Sequence, residues 1–166
     1  MKSRNVLLTL AAAAAVAIAI AVVAVVAVDP FAAKPAGHTL LPDDAKVLAL
    51  GKQVYQARCA ACHGAGLEGQ PNWRTRGPDG LLPAPPHDAS GHTWHHPDEV
   101  LFNITKRGVA KTANLKNYAS AMPIYEGVLS DAEIIAALSW IKAQWPANIR
   151  ERHDQMNAQA RDAPKP

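Results

Sequence analysis

Val54-Tyr55-Gln56-Ala57-Arg58-Cys59-Ala60-Ala61-Cys62-His63 is the stretch that decides how this chain of 166 residues folds. Two thiols three positions apart, followed at once by an imidazole, form the C-x-x-C-H sequence at which haem becomes attached to protein. The chemistry needs those residue types at that spacing. Both thiols add to the haem vinyl groups, and the residue after them sets its imidazole against the iron as the proximal ligand. The pair can also be read as a redox disulfide or as half of a zinc site. Against the disulfide, no alternation of strands with helices surrounds it, and His63 follows directly. These are the only cysteines in the chain, which excludes a multi-disulfide scaffold and a four-cysteine zinc site.

Three helical patterns surround this motif. Asp43–Ala57 leads into it, with Val47, Leu50, Gly51, Val54 and Tyr55 on one face and Asp43 or Asp44 as the cap after Pro42. A second pattern runs from about Pro97 to Arg107, with Asp98 and Glu99 at its positive end, an apolar stripe of Val100, Leu101 and Ile104, and Gly108 as its stop. The third opens on Ser130-Asp131-Ala132-Glu133, which fits a capping box, and repeats Ile134, Leu138, Ile141 and Trp145 on one face until Pro146. Gly64 to Trp94, rich in Gly and Pro, shows no such pattern. So long an irregular loop is expected in a compact domain only when something other than protein fills the interior.

The amino terminus reads as a membrane segment. Val6–Val28 carries no charge and has Thr9 as its one polar member. As a helix it would span about 35 Å, enough to cross a hydrocarbon core of roughly 30 Å. Lys2 and Arg4 precede it, so residues 1–5 are expected in the cytoplasm and the remainder beyond the inner membrane, on the periplasmic side. A cleaved signal peptide is the competing reading, but its apolar core would be shorter, about 7–15 residues. Residues 29–42, with Pro30, Pro35, Gly37 and Pro42, read as a linker. Residues 43–146 read as the globular unit, and 147–166 as a polar tail outside the core, with room for a short helix. Lys plus Arg number 17 against 14 for Asp plus Glu. With Lys2 and Arg4 set aside the remainder is near neutral, and no basic block points to nucleic acid.

Residues 43–146 resemble class I cytochrome c in three features: a first helix running into C-x-x-C-H, a methionine-containing loop, and a last helix. In that family a small residue and an aromatic on the first helix cross an aromatic on the last, and Gly51, Tyr55 and Trp140 match those roles. The resemblance implies an all-α fold around one covalently bound haem c, with Cys59 and Cys62 as thioether partners, His63 as proximal ligand and one-electron transfer as its work. It also implies a distal methionine. Met1 and Met156 lie at the ends of the chain, and Met122, in Ser120-Ala121-Met122-Pro123-Ile124-Tyr125, resembles the family's Met-Pro-x-aromatic stretch. Met/His ligation raises the reduction potential.

The other candidate ligands are histidines. His87, His92, His95 and His96 fall close together, and the readings open to them are a distal ligand, a copper or zinc site, and ordinary loop residues, with His96 placed to cap a helix before Pro97. His38 and His153 look incidental. In the family a proline carbonyl accepts the other N–H of the proximal imidazole, and Pro83-Ala84-Pro85-Pro86 offers candidates. Trp73, Arg74, Arg76 and Trp94 are suitable donors around the haem.

The expected protein is therefore a carrier of electrons, not an enzyme, with no small-molecule substrate. It is tethered by its amino-terminal helix and meets redox proteins such as a cytochrome complex or a terminal oxidase or reductase, with the haem edge near Cys59 and Cys62 as its contact surface. The alternatives are a haem subunit of a larger oxidoreductase and a haem or metal sensor.

Overall fold

The computed structural model describes residues 37–163. The apolar run Val6–Val28, most of the linker and the last three residues lie outside the described residues. Among the described residues no helix is long and apolar enough to cross a membrane.

The helix leading to the cysteines, α1, is Ala45–Arg58. Of its two candidate caps it uses Asp44, whose carboxylate accepts from the amides of Lys46 and Val47 and so satisfies donors that have no partner in the first turn. A four-residue turn of helix, α2 (Ala60–His63), continues from it. After a long connection come a 3₁₀ turn, Thr93–His95, and then α3, Asp98–Arg107, and the short α4, Val109–Thr112. The capping box holds as read: α5 is Asp131–Ala143, with the Ser130 hydroxyl accepting from the Glu133 amide while the Glu133 carboxylate accepts from the Ser130 amide. No strand occurs among the described residues.

The fold rests on the crossing of α1 over α5, the most extensive helix contact among the described residues. At the crossing a side chain on Gly51 would overlap the backbone carbonyl of Ala136 and the Trp140 Cβ. The absence of a side chain is what lets the two backbones approach. One turn on, the Tyr55 and Trp140 rings pack at 4.8 Å between centroids, tilted by 39°. All three residues thus take the roles expected of them. Around this crossing Val54, Tyr55, Leu101, Phe102, Ile134, Ala137, Leu138, Ile141 and Trp145 form one buried cluster. The four positions read as one face, Ile134, Leu138 and Ile141 on α5 and Trp145 just past its end, are all in it.

The tail departs from expectation. Ala147–Asp162 is a 16-residue helix, α6, packed on the 3₁₀ turn and burying Ile149, His153 and Asn157. His153, which looked incidental, is fully buried. Its Nε2–H donates to the His96 carbonyl at 3.0 Å, leaving Nδ1 to accept from the Asn157 amide at 3.2 Å. Asn157 gives its second N–H to Asp98 Oδ1 and accepts the Asp98 backbone N–H. The other Asp98 oxygen takes the amide of Leu40. Beside this network the buried Lys142 ammonium pairs with Asp154 at 2.5 Å. Hydropathy cannot register such an attachment, because hydrogen bonds rather than an apolar stripe make most of it.

His38 is also engaged. It stacks on Phe102 at 3.4 Å, and both its amide and Nδ1 meet Glu99 Oε2 at 2.8 Å. The end of the linker stretch is therefore docked, with Leu40 buried and the Leu41 amide on the Ser139 hydroxyl.

Two outcomes follow from this packing. Gly51→Ala must push α1 from α5, at a cost of about 1–3 kcal/mol for overpacking or somewhat more where backbone is met, read as a lower thermal midpoint. Burial, followed by the nearby Lys142, lowers the pKa of His153 from its ordinary 6.5. The unfolded chain then binds more protons below that value, so stability falls as pH drops through it. Urea melts at neutral pH and at about pH 5.5 should show this loss, and His153→Leu should reduce the slope.

Candidate functional site

Cys59 ends α1 and starts α2, with its amide on the Tyr55 carbonyl at 2.9 Å, and its own carbonyl accepts the amides of Cys62 at 3.1 Å and His63 at 2.9 Å. One helical turn therefore sets both thiols on one side. Neither cysteine is in a disulfide. Burial, with Cys62 second, pushes the Cys59 thiol up to about 11. Redox cysteines in C-x-x-C pairs have depressed values, so this thiol is of the opposite kind.

His63 is buried and held from behind. Its Nδ1 lies 2.8 Å from the Pro85 carbonyl oxygen. A carbonyl can only accept, so Nδ1 carries the proton; burial lowers the pKa despite that bond, leaving a neutral ring with its lone pair on Nε2. Nε2 makes no hydrogen bond among the described residues. A neutral imidazole anchored at one nitrogen and free at the other is what a metal ligand requires.

The support for Pro85 is built into the long loop. The Gly69 amide donates to the His63 carbonyl at 2.8 Å, the Gln70 amide to the Ala84 carbonyl, and the Ala84 amide to the Gln70 side chain. A Cβ on Gly69 would overlap the Pro85–Pro86 peptide from one direction, and one on Gly91 would overlap the Pro86 carbonyl. The prolines run between two stretches of bare backbone. Of the four-residue stretch offered by the sequence, Pro85 supplies the acceptor.

The histidines separate. His87 lies face to face with His63 at 4.0 Å, the planes 21° apart. Rings in such contact leave no room for a porphyrin between them, so His87 belongs to the His63 side and cannot be the distal ligand. Its pKa is held well below 6.5 by burial, then by His63 and His92. His92 stacks on Trp73 at 5.3 Å and His95 on Trp94 at 3.7 Å. His96 caps no helix: Pro97 is the N-cap of α3, and His96 instead offers its carbonyl to His153. Among the described residues no three His, Cys, Asp or Glu side chains gather to hold a metal ion.

Met122 is half-buried, its amide on the Ser120 hydroxyl at 3.1 Å. Three residues on, buried Tyr125 donates its hydroxyl to the carbonyl of Arg58 at 2.7 Å, immediately before Cys59. The Glu126 amide meets the Lys106 carbonyl at 2.9 Å. This clamp ties the methionine segment to the attachment turn, and three residues of chain reach at most about 10 Å. Leu115, Ile124 and Val128, in the same part of the chain, are three of the five large apolar side chains left exposed among the described residues. Two thiols, a neutral imidazole with a free Nε2 and an apolar surface near a thioether make a donor set that fits haem c.

Comparison with known proteins agrees. The family described as Cytochrome c matches residues 48–145. The chain belongs to the cytochrome c family. It is 36% identical over 67 residues to a cytochrome c-555 of Prosthecochloris aestuarii, covering 37% of this chain and 68% of that one. It is 31% identical over 97 residues to a cytochrome c6 of Tetradesmus obliquus, covering 58% and 90%. No solved structure gives a significant match. The cytochrome thus binds haem c covalently, at Cys59 and Cys62, and is an electron carrier rather than an enzyme. α6 lies beyond the matched residues.

Trp73 stacks with His92, and the Arg74 guanidinium sits 4.0 Å from the Trp73 ring centroid. Trp94 points its indole N–H at the Ala89 carbonyl at 3.4 Å. Arg76 donates to the Gly80 carbonyl. Tyr125 could be read from its place after Met122. His87, Thr93 and the Trp145 indole, which donates to the His87 carbonyl at 2.7 Å, carry no local signal of a role here.

Removing the Tyr125 hydroxyl tests the clamp. Tyr125→Phe leaves the Arg58 carbonyl without its partner, and stability should fall by about 1–2 kcal/mol in thermal melts while covalent haem is retained.

Proposed function

We propose that the cytochrome is a membrane-tethered monohaem carrier working in a periplasm-facing respiratory chain, with His63 as proximal and Met122 as distal iron ligand. The observation that carries the ligand reading is the His63 Nδ1–Pro85 bond, which leaves the Nε2 lone pair of the attachment-motif histidine free. Met122 is favoured by the Tyr125–Arg58 clamp and by the placement of His87 on the proximal side. Haem c, when bound, supplies one-electron redox chemistry.

The residues around it have separable tasks. Cys59 and Cys62 hold the cofactor covalently, so its retention does not depend on a closed pocket. Pro85 fixes the tautomer and raises the basicity of the His63 ring. Met122, a soft neutral donor, favours the reduced state. Trp73 and Arg74 make no hydrogen bond among the described residues and so keep their N–H groups for the haem carboxylates, whereas the N–H of Trp94 is spent on Ala89. The tether reading rests on the uncharged run Val6–Val28 behind Lys2 and Arg4. Its partners in this reading are membrane-bound redox proteins, met often because the carrier is confined beside them.

A reduced-minus-oxidised spectrum with a pyridine haemochrome, taken on washed membranes of a host competent in haem attachment, tests cofactor and tether together. Haem c in the soluble fraction alone would refute the tether. Met122→Ala should abolish the near-infrared sulfur-to-iron band and lower the reduction potential. An unchanged band would remove Met122 as ligand.

A further inference from the structure

We propose that His87 is a positioning residue for the proximal imidazole: its ring, pressed face to face on His63, sets the plane in which that imidazole stands against the haem. The inference rests on the reading of His63 as the iron ligand and adds a second restraint to the Pro85 bond. A hydrogen bond at Nδ1 fixes the tautomer and the direction of one ring atom, but such bonds tolerate departures of some tens of degrees from linearity. A flat side chain at 4.0 Å, with its plane only 21° away, restricts the rotation that remains.

His87 is itself held at three points. Its amide donates to the Leu67 carbonyl at 2.8 Å, and its carbonyl accepts the Trp145 indole N–H at 2.7 Å. Its Nδ1 lies 2.8 Å from the Thr93 hydroxyl, which in turn donates to the Pro86 carbonyl at 3.4 Å. Leu67 adopts a left-handed backbone, φ 72°, while buried. L-residues rarely adopt that conformation, and here it presents the carbonyl on which the His87 amide rests. Trp145 stands just beyond α5 and meets buried His153 of α6 edge-on at 5.0 Å. The proximal ring is thus braced from the carboxy-terminal end of the fold.

The orientation of an axial imidazole is read by the g-values of oxidised haem and by the order and spread of the haem-methyl proton resonances. Both should be recorded on the haem-loaded full chain. His87→Ala should change both while the haemochrome and the sulfur-to-iron band stay as in the parent. His87→Phe, which keeps a flat face, should restore the parent pattern, and Thr93→Val, which frees the His87 ring, should shift it partway. If His87→Ala does not accumulate, His87→Leu against His87→Phe makes the same comparison of a branched with a flat side chain. Parent-like g-values and methyl shifts in the Ala or Leu variant would overturn the proposal, whatever happens to the melting temperature. Failure of the underlying reading looks different: the unsubstituted chain would itself lack low-spin imidazole-ligated haem, and both would fall.

Discussion

A single hydrogen bond, from His63 Nδ1 to the Pro85 carbonyl at 2.8 Å, constrains most of what surrounds it. To keep that carbonyl behind the imidazole, the loop after α2 must double back, and it does so through Leu67 in a left-handed conformation and through Gly69 and Gly91 lying flat against the two prolines. The returning strand of loop is then secured from elsewhere: the Trp145 indole holds the His87 carbonyl, and Trp145 ends the face that α5 buries. α5 in turn crosses α1 where Gly51 meets Ala136, and α1 delivers Cys59. The attachment turn and its support are opposite ends of one closed path through the core.

The carboxy-terminal helix adds a different kind of stabilisation. Asp98, His153 and Asn157 are buried with complementary hydrogen bonds: each N–H faces an acceptor, and the neutral His153 tautomer is dictated by the His96 carbonyl. Buried groups of this sort cost free energy to desolvate and recover it only when all partners are present. Their net contribution is small compared with the apolar cluster, but they admit one register of α6 on the 3₁₀ turn and no other. The same property makes the attachment sensitive to acid, because a second proton on His153 would face the Asn157 amide donors.

The histidine-rich loop shows why composition misleads. Four histidines within ten residues invite a metal site, yet their rings go to different partners: His87 to the face of His63, His92 to Trp73 with the His96 ring edge-on beside it, and His95 to Trp94, while the His96 carbonyl goes to His153. Proximity along the chain brought no three of their side chains to a common point.

Local rules in the sequence determined the helices and the attachment motif. Caps at Asp44 and Ser130, the stop at Gly108 and the periodic face of α5 depend on neighbours within a turn, and so does the spacing of two thiols and an imidazole; of the faces read on α1 and α3, Leu50 is exposed and Val100 and Ile104 only half-buried, while Phe102 is buried instead. Even the Gly51–Tyr55–Trp140 crossing could be read, since it is carried by side-chain size at set positions. Tertiary structure alone decided which proline faces His63, which histidine lies on it, that Tyr125 reaches Arg58 across 67 residues of chain, and that a polar tail becomes a docked helix. Each of those is a hydrogen bond or a ring contact between segments far apart in sequence, and such partners are chosen by the packing of the whole core rather than by any pattern within reach of the residue concerned.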